Sequence, residues 1–298
     1  MLLFSFSSCS EMTGTTMAPN LHGKTIVITG ANSGIGKITA RELAKSGAAV
    51  IMACRNLESA NAVAQEIRDI SGNGEVSVVH LDLASFSSVR ACAAAIADRH
   101  DRIDVLLNNA GTYTQGNTTT ADGIHPTMQA NYFSPFLLTN LLLPMIKASD
   151  AGRIVNVSSA MYAIGRLDLE RESFIIAKNG FSAYAGSKLA MLLFTMELAE
   201  RLGGSRTTAN ALHPGLVDTK IMRLDKWYGI FINRYMGWKA ISAEEGAKTS
   251  IYLSSSEVVE GVTGKYFAEC AEKPANLSPR RLALKKPLWD KTSTIVGL

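Results

Sequence analysis

The sequence predicts a doubly wound α/β fold, a parallel sheet of seven strands with helices on both faces. Three observations lead there. From Gly23 onward, short β-branched and aliphatic runs alternate with longer helical stretches, the rhythm of strand–crossover–strand units. The first such run ends in a glycine-rich turn. The chain has 298 residues, 47% of them hydrophobic and 19% charged, which suits a sheet covered on two sides.

Strands are predicted at Thr25–Thr29, Ala49–Ala53, Val76–Leu81, Ile103–Leu107, Arg153–Val157, Thr207–Leu212 and around Tyr266-Phe267. Helices are predicted over Ile35–Ser46, Leu57–Ile70, Ser87–Arg99, Gly123–Lys147 and Ser182–Leu202. Gly47 stops the first helix, and Ser71-Gly72-Asn73-Gly74 ends the second, since glycine accepts the left-handed conformation that closes a helix. No linker, low-complexity block or solenoid repeat interrupts the pattern. The expectation is one domain over 21–298 behind a loosely ordered, Ser/Thr-rich leader over 1–20.

The net charge of +4 is spread along the chain and gives no reason to expect nucleic acid. The densest basic group, Arg280, Arg281, Lys285 and Lys286, reads as a solvated tail, with an acidic membrane surface as the alternative. Cys9, Cys54, Cys92 and Cys270 lie far apart with no CxxC pair, which argues against a zinc site or a disulfide framework and for a reducing compartment. No metal site is expected. No apolar run reaches the roughly 18 residues that would span a bilayer. The start, Met1-Leu2-Leu3-Phe4-Ser5-Phe6, is too short for a signal core and lacks a basic flank. These features predict an intracellular protein, cytoplasmic or peripherally membrane-associated, with no transmembrane segment.

The segment Thr29-Gly30-Ala31-Asn32-Ser33-Gly34-Ile35-Gly36 joins a strand to a helix. Glycines let the backbone turn sharply and approach a pyrophosphate, whose charge the helix N-terminus favours. The spacing is Gly-x3-Gly-x-Gly, and the form TGANSGIG resembles the short-chain dehydrogenase/reductase superfamily. That resemblance implies a Rossmann-type fold with a dinucleotide at Gly30, Asn32, Ser33, Gly34, Ile35 and Gly36.

An acid ending the second strand would bind the adenosine ribose hydroxyls and repel a 2′-phosphate. Here the sequence reads Met52-Ala53-Cys54-Arg55-Asn56. Arg55 can offer a permanently charged fork to a phosphate, so NADP(H) is the expected cofactor; a surface arginine opening a helix is the plainer alternative. By the resemblance, Arg55 and Asn56 border the 2′-phosphate, Asp82 and Leu83 border the adenine, and Asn109, Ala110 and Gly111 of the Asn108-Asn109-Ala110-Gly111 element border the adenosine side.

Tyr184 and Lys188 lie four apart in Tyr-Ala-Gly-Ser-Lys, which puts both on one face of a helix. A phenol titrates near 10 and is a poor base at neutral pH; a neighbouring ammonium favours the phenolate. The pair is therefore a candidate general acid/base unit. Ser159 resembles the family's substrate-facing serine, with Ser158 left as the rival, and Asn131 resembles the fourth member of the catalytic tetrad. The resemblance implies that Tyr184 protonates the carbonyl oxygen, Lys188 binds the nicotinamide ribose, Ser159 steadies the oxygen and Asn131 holds a relay water. On residues alone, Asn131 is equally a polar residue that bends a helix. After the sixth strand, Pro214, Gly215, Val217 and Thr219 resemble the segment crossing the nicotinamide, whereas His213 reads as a packed histidine.

The resemblance covers residues 22–298. It is closest to the retinol dehydrogenase-like branch, through TGANSGIGK, ACRN, LDLAS, NNAG, LLTNLLLP, RIVNVSS, YAGSKLA, HPGLVDT and the ending PLWDKTSTIVGL. It implies a lipophilic small-molecule carbonyl/alcohol substrate such as retinal, a steroid ketone or another aldehyde. It also implies a homodimer through the helices over 124–147 and 182–202. Membrane-bound members carry a hydrophobic anchor not seen here, which leaves peripheral membrane contact open. The stretch Leu224–Ala240, with Trp227, Tyr228, Phe231, Tyr235 and Trp238, reads equally as an apolar substrate lid or as a helix packed on the body. The rival reading of the whole is a catalytically silent NADP(H)-binding regulatory or scaffold protein. The intact Asn131, Ser159, Tyr184 and Lys188 set weighs against it.

Overall fold

A computed structural model describes residues 19–171, 174–215 and 241–298. The expected alternation forms β1 (Thr25–Thr29), β2 (Ala49–Cys54), β3 (Val76–His80), β4 (Val105–Asn108), β5 (Arg153–Val157), β6 (Thr208–His213), β7 (Tyr266–Ala268) and β8 (Ala271–Lys273). They lie in the order β3-β2-β1-β4-β5-β6-β7-β8. β1 to β7 are parallel, and β8 returns antiparallel to β7. The eighth strand was not expected from sequence. Its hairpin turns on Glu269 and Cys270, both at positive φ (54° and 58°), so the Asn or Gly that usually announces such a turn is missing.

The helices are α1 (Gly34–Lys45), α2 (Leu57–Ser71), α3 (Phe86–Ala97), the single turn α4 (Pro126–Met128), α5 (Ser134–Lys147), α6 (Gly180–Arg201), α7 (Ala243–Ser255), the short α8 (Pro279–Leu282) and α9 (Lys285–Val296). Strand residues alternate between faces, and here both faces are apolar, as a parallel sheet requires. Val27, Ile51 and Leu106 share one core with α3, α5, α6 and Leu288 and Val296 of α9. Ile26, Ile28, Val50 and Met52 share the other with α1, α2 and Leu253 of α7.

The helix expected over Gly123–Lys147 is not continuous. Between α4 and α5 lies a π-helical turn, Gln129–Phe133, in which the Ser134 amide reaches back to the Gln129 carbonyl. Pro135 has no amide proton to continue an ordinary helical ladder, and a widened turn accommodates the gap.

α9 lies across α5 and α6, on the helices for which a homodimer face was expected. Two members of the supposed basic tail are engaged in the fold. Arg281 donates to the carbonyls of Ala163 (2.8 Å) and Gly165 (2.9 Å), and Lys285 pairs with Glu200. Cys54 and Cys92 are free and buried; Cys270 is disulfide-bonded, unlike the reduced thiol expected. No helix among the described residues is long and apolar enough to cross a membrane.

Candidate active site

Strand order reverses between β1 and β4, so the loops leaving their carboxyl ends diverge and open a crevice. One wall is the glycine-rich turn. Gly30 sits at φ +65°, and a Cβ there would come within 2.9 Å of the Ala110 Cβ. A Cβ on Gly36 would fall 2.4 Å from the Gly30 carbonyl oxygen and 2.5 Å from Asn109 Nδ2. Gly34, at φ +52°, would meet nothing within 4 Å, so the turn faces open space there. Ser33 precedes α1 without capping it through its side chain, which leaves first-turn amides, Ile35 among them, available to an anion. This cradle fits a pyrophosphate.

Thr29 ties the turn to the next loop. Its hydroxyl accepts from the amides of Asn109 (3.0 Å) and Ala110 (2.9 Å), and Asn109 Nδ2 donates to the Thr29 carbonyl at 2.9 Å. Asn108, buried below, donates to Thr139 Oγ1 and Asn156 Oδ1, so the element is architectural.

On the adenosine side, Asn32 Nδ2 donates to Ser59 Oγ (3.3 Å), while Asn56 caps α2 by accepting from the Ser59 amide at 2.9 Å. These bonds draw the β2–α2 junction to the glycine turn. Arg55 lies exposed at that junction, and no described carboxylate pairs with it. Asp82 accepts from the Ala84 amide (2.9 Å) and shapes the turn after β3. Leu83 is buried, and its carbonyl accepts from Ser134 Oγ.

The other wall is made of side chains. The i,i+4 spacing on α6 places Lys188 Nζ 5.5 Å from the centre of the Tyr184 ring. Lys188 is buried and donates to the Val157 carbonyl at 2.9 Å; burial pushes its ammonium down to about 8. The effect expected on Tyr184 is reversed, because burial raises its phenol above the ordinary value, with the Ser159 hydroxyl opposing as a hydrogen-bond partner. Desolvation of the phenolate thus outweighs its neighbours. The two serines separate cleanly. Ser158 Oγ donates to the Lys188 carbonyl at 2.9 Å and pins α6 to β5, whereas Ser159 meets Tyr184.

Asn131, buried within the π-turn, clamps the backbone of Thr112. Its Oδ1 accepts from the Thr112 amide (2.7 Å), and its Nδ2 donates to the Thr112 carbonyl (3.0 Å) and to Ser187 Oγ (3.3 Å). Ser187 in turn donates to the Tyr184 carbonyl. A Cβ on Gly111 would lie 3.5 Å from Asn131 Oδ1 and 3.7 Å from Lys188 Nζ, so this loop passes directly over both.

The sequence reading missed Ser187 and Tyr113, whose ring stands edge-on to that of Tyr184 with centroids 6.2 Å apart. Position 113 is the second residue after the NNAG element, and that proximity was the available signal. His213 is half-buried with Nδ1 unpartnered, and burial holds its imidazole below the usual range. Pro214 and Gly215 follow β6, with Gly215 at φ +90° against Ile241. Val217, Thr219 and the aromatic stretch over 224–240 lie outside the described residues.

Comparison with known proteins gives this geometry its relatives. A profile of the short chain dehydrogenase family matches residues 24–227. Human retinol dehydrogenase 13 is 41% identical over 93% of this chain and 85% of its own. Human retinol dehydrogenase 14 is 42% identical over 93% and 88%. Among solved structures, an uncharacterised protein of Mycobacterium paratuberculosis superposes with a TM-score of 0.73 at 34% identity, covering 94% of this chain and 96% of the other. An Escherichia coli short chain dehydrogenase complexed with NADPH gives 0.69 at 26% identity, covering 86% and 100%. Fold, matched residues and relatives agree: the chain belongs to the short chain dehydrogenase family, whose members use NAD(P), and is an oxidoreductase acting between alcohols and carbonyls.

Proposed function

We propose that the protein is an NADP(H)-dependent reductase of lipophilic carbonyl compounds, with Tyr184 as the general acid. The observation carrying this reading is Tyr184 set beside the buried Lys188, with the Ser159 hydroxyl opposing the rise that burial imposes on the phenol. When bound, the reduced nicotinamide supplies hydride to the carbonyl carbon. The raised phenol keeps its proton at neutral pH, so Tyr184 Oη–H is ready to protonate the carbonyl oxygen. Ser159 donates a hydrogen bond to the same oxygen as charge develops there. Lys188, charged below about 8, stabilises the phenolate left behind and offers its remaining N–H groups to the cofactor ribose. Asn131 fixes the Thr112 loop over them and holds a water on the path by which the proton is replaced. In the opposite direction the same groups run in reverse.

The preference for NADP(H) rests on Arg55 and on the absence of an acid at the end of β2. A lipophilic substrate is supported by the retinol dehydrogenase relatives and by the Tyr113 ring beside Tyr184. Purified protein should consume NADPH with at least one member of a panel of retinal, steroid ketones and lipophilic aldehydes. Tyr184→Phe should abolish turnover while leaving NADPH binding, read by fluorescence, intact. Full turnover by the Phe variant would refute the assignment of the acid.

A further inference from the structure

We propose that the C-terminal helix α9 is a positioning element for Asn131, acting through a hydrogen bond between the Tyr132 and Thr292 hydroxyls. The inference rests on the reading of Asn131 given above. Tyr132 and Thr292 are separated by 160 residues, are both fully buried, and meet at 2.7 Å. Each hydroxyl is otherwise enclosed by apolar packing. The Tyr132 ring lies against Phe133, Phe136 and Phe194, and Thr292 falls between Leu288 and Val296 on the inward i,i+4,i+8 face of α9. A buried hydroxyl without its partner is costly, so the pair fixes the two elements at one relative position.

The site of attachment is what makes the bond more than packing. Tyr132 belongs to the π-turn Gln129–Phe133, an irregular turn that ordinary helical bonding would tend to rewind. The turn is secured on both sides of Asn131. Before it, the Gln129 side chain engages Asp122 and Thr120; after it, Tyr132 engages Thr292. Between the two anchors Asn131 reaches out to the Thr112 backbone and to Ser187.

α9 is itself a firm support. Arg201 lies over the Trp289 ring at 4.2 Å, and Trp289 packs on Phe136 and Phe194. At the far end, Arg90 donates to the carbonyls of Val296 and Gly297. The helix is thus tied to α3 and α6 while its middle holds the π-turn. Tyr132 and Thr292 touch neither Tyr184 nor Lys188 in any described contact, and their shortest hydrogen-bonded link to the site is the turn that holds Asn131.

The test is Thr292→Val, which removes the hydroxyl at nearly constant shape. It should lower kcat by about tenfold or more, since misplacement of about 1 Å in a catalytic constellation costs up to ~100-fold, with NADPH affinity unchanged. Amide exchange at Thr112, whose N–H donates to Asn131, should accelerate by a similar factor. Thr292→Ser should restore both readouts, and Tyr132→Phe, which cuts the same bond from the other end, should reproduce the loss and serves in its place if the valine variant does not fold. Thr294→Ala, on the exposed side of α9, should change neither. Wild-type kcat in Thr292→Val, or a fall in kcat with unaltered exchange at Thr112, would overturn the proposal. Full turnover by Asn131→Ala would instead locate the failure in the reading of Asn131.

Discussion

Around the glycine turn the crevice is walled by main chain, whereas around Tyr184 it is walled by side chains delivered from the π-turn before α5, from α6 and from the end of β5. The first wall needs little beyond a strand, a turn and the start of a helix. Gly30 and Gly36 are required because Ala110 and Asn109 leave no room for a Cβ. The second wall depends on contacts across the chain: Asn131 with Thr112, Lys188 with Val157, and Ser159 with Tyr184. The main-chain wall is therefore framed by two stretches of chain, the glycine turn and residues 109–110, and the side-chain wall draws on several more. Damage to one should be separable from damage to the other.

The sharpest separation should come from Lys188→Met. Loss of the cation beside the phenol should lower kcat by about 100- to 10,000-fold, the range for a general acid–base unit, measured by single-turnover kinetics at saturating NADPH. Stability supplies a second reading. The buried ammonium is depressed from 10.5 to about 8, so between those values the unfolded chain holds more protons than the folded one, and folding stability rises with pH. Urea unfolding at a series of pH values should show this rise in the wild type and its disappearance in Lys188→Met. The same titration should make wild-type kcat/KM fall above about pH 8.

At the main-chain wall, Arg55→Ala should weaken NADPH by roughly 10- to 100-fold, as loss of a charge-assisted hydrogen bond worth about 1.5–3 kcal/mol implies. NADH affinity should stay nearly unchanged, as titration calorimetry would show. Equal loss for both would place Arg55 away from the 2′-phosphate. Gly36→Ala should cost about 1–3 kcal/mol of stability through overpacking and weaken both cofactors alike. The smallest effect should be that of Ser158→Ala, about 1 kcal/mol of stability from one lost hydrogen bond. Its turnover should remain high. A Ser158 variant as inactive as Ser159→Ala would erase the distinction between a serine that pins α6 and one that faces the reacting oxygen.

The same division explains what could be read from the sequence. The glycine turn and the Tyr184/Lys188 pair are local patterns, and their spacing places them before any tertiary contact is known. The residues alone do not separate Ser158 from Ser159, which only the resemblance favours, because two adjacent hydroxyls at a strand end differ only in what lies opposite each. It gives the sign of the lysine's influence on Tyr184 but not the burial that outweighs it. The π-turn is hidden because apolar periodicity runs through it almost unbroken, and only Pro135 marks the gap in amide donors. The support for Tyr132 is harder still to see, since a lone threonine near the C-terminus carries no sign of a partner 160 positions earlier.

The hairpin closing the sheet has a consequence for solubility. A long, flat outer strand offers unpaired amides and carbonyls to any passing chain and so invites intermolecular pairing. Here the strand on the hairpin's edge of the sheet, β8, is only three residues long. Two of those residues carry opposite charges held in ion pairs, Glu272 with Lys265 and Lys273 with Glu269. That rim is too short and too polar to template a neighbour, so a concentrated solution of the enzyme gains no foothold there for growing ordered aggregates.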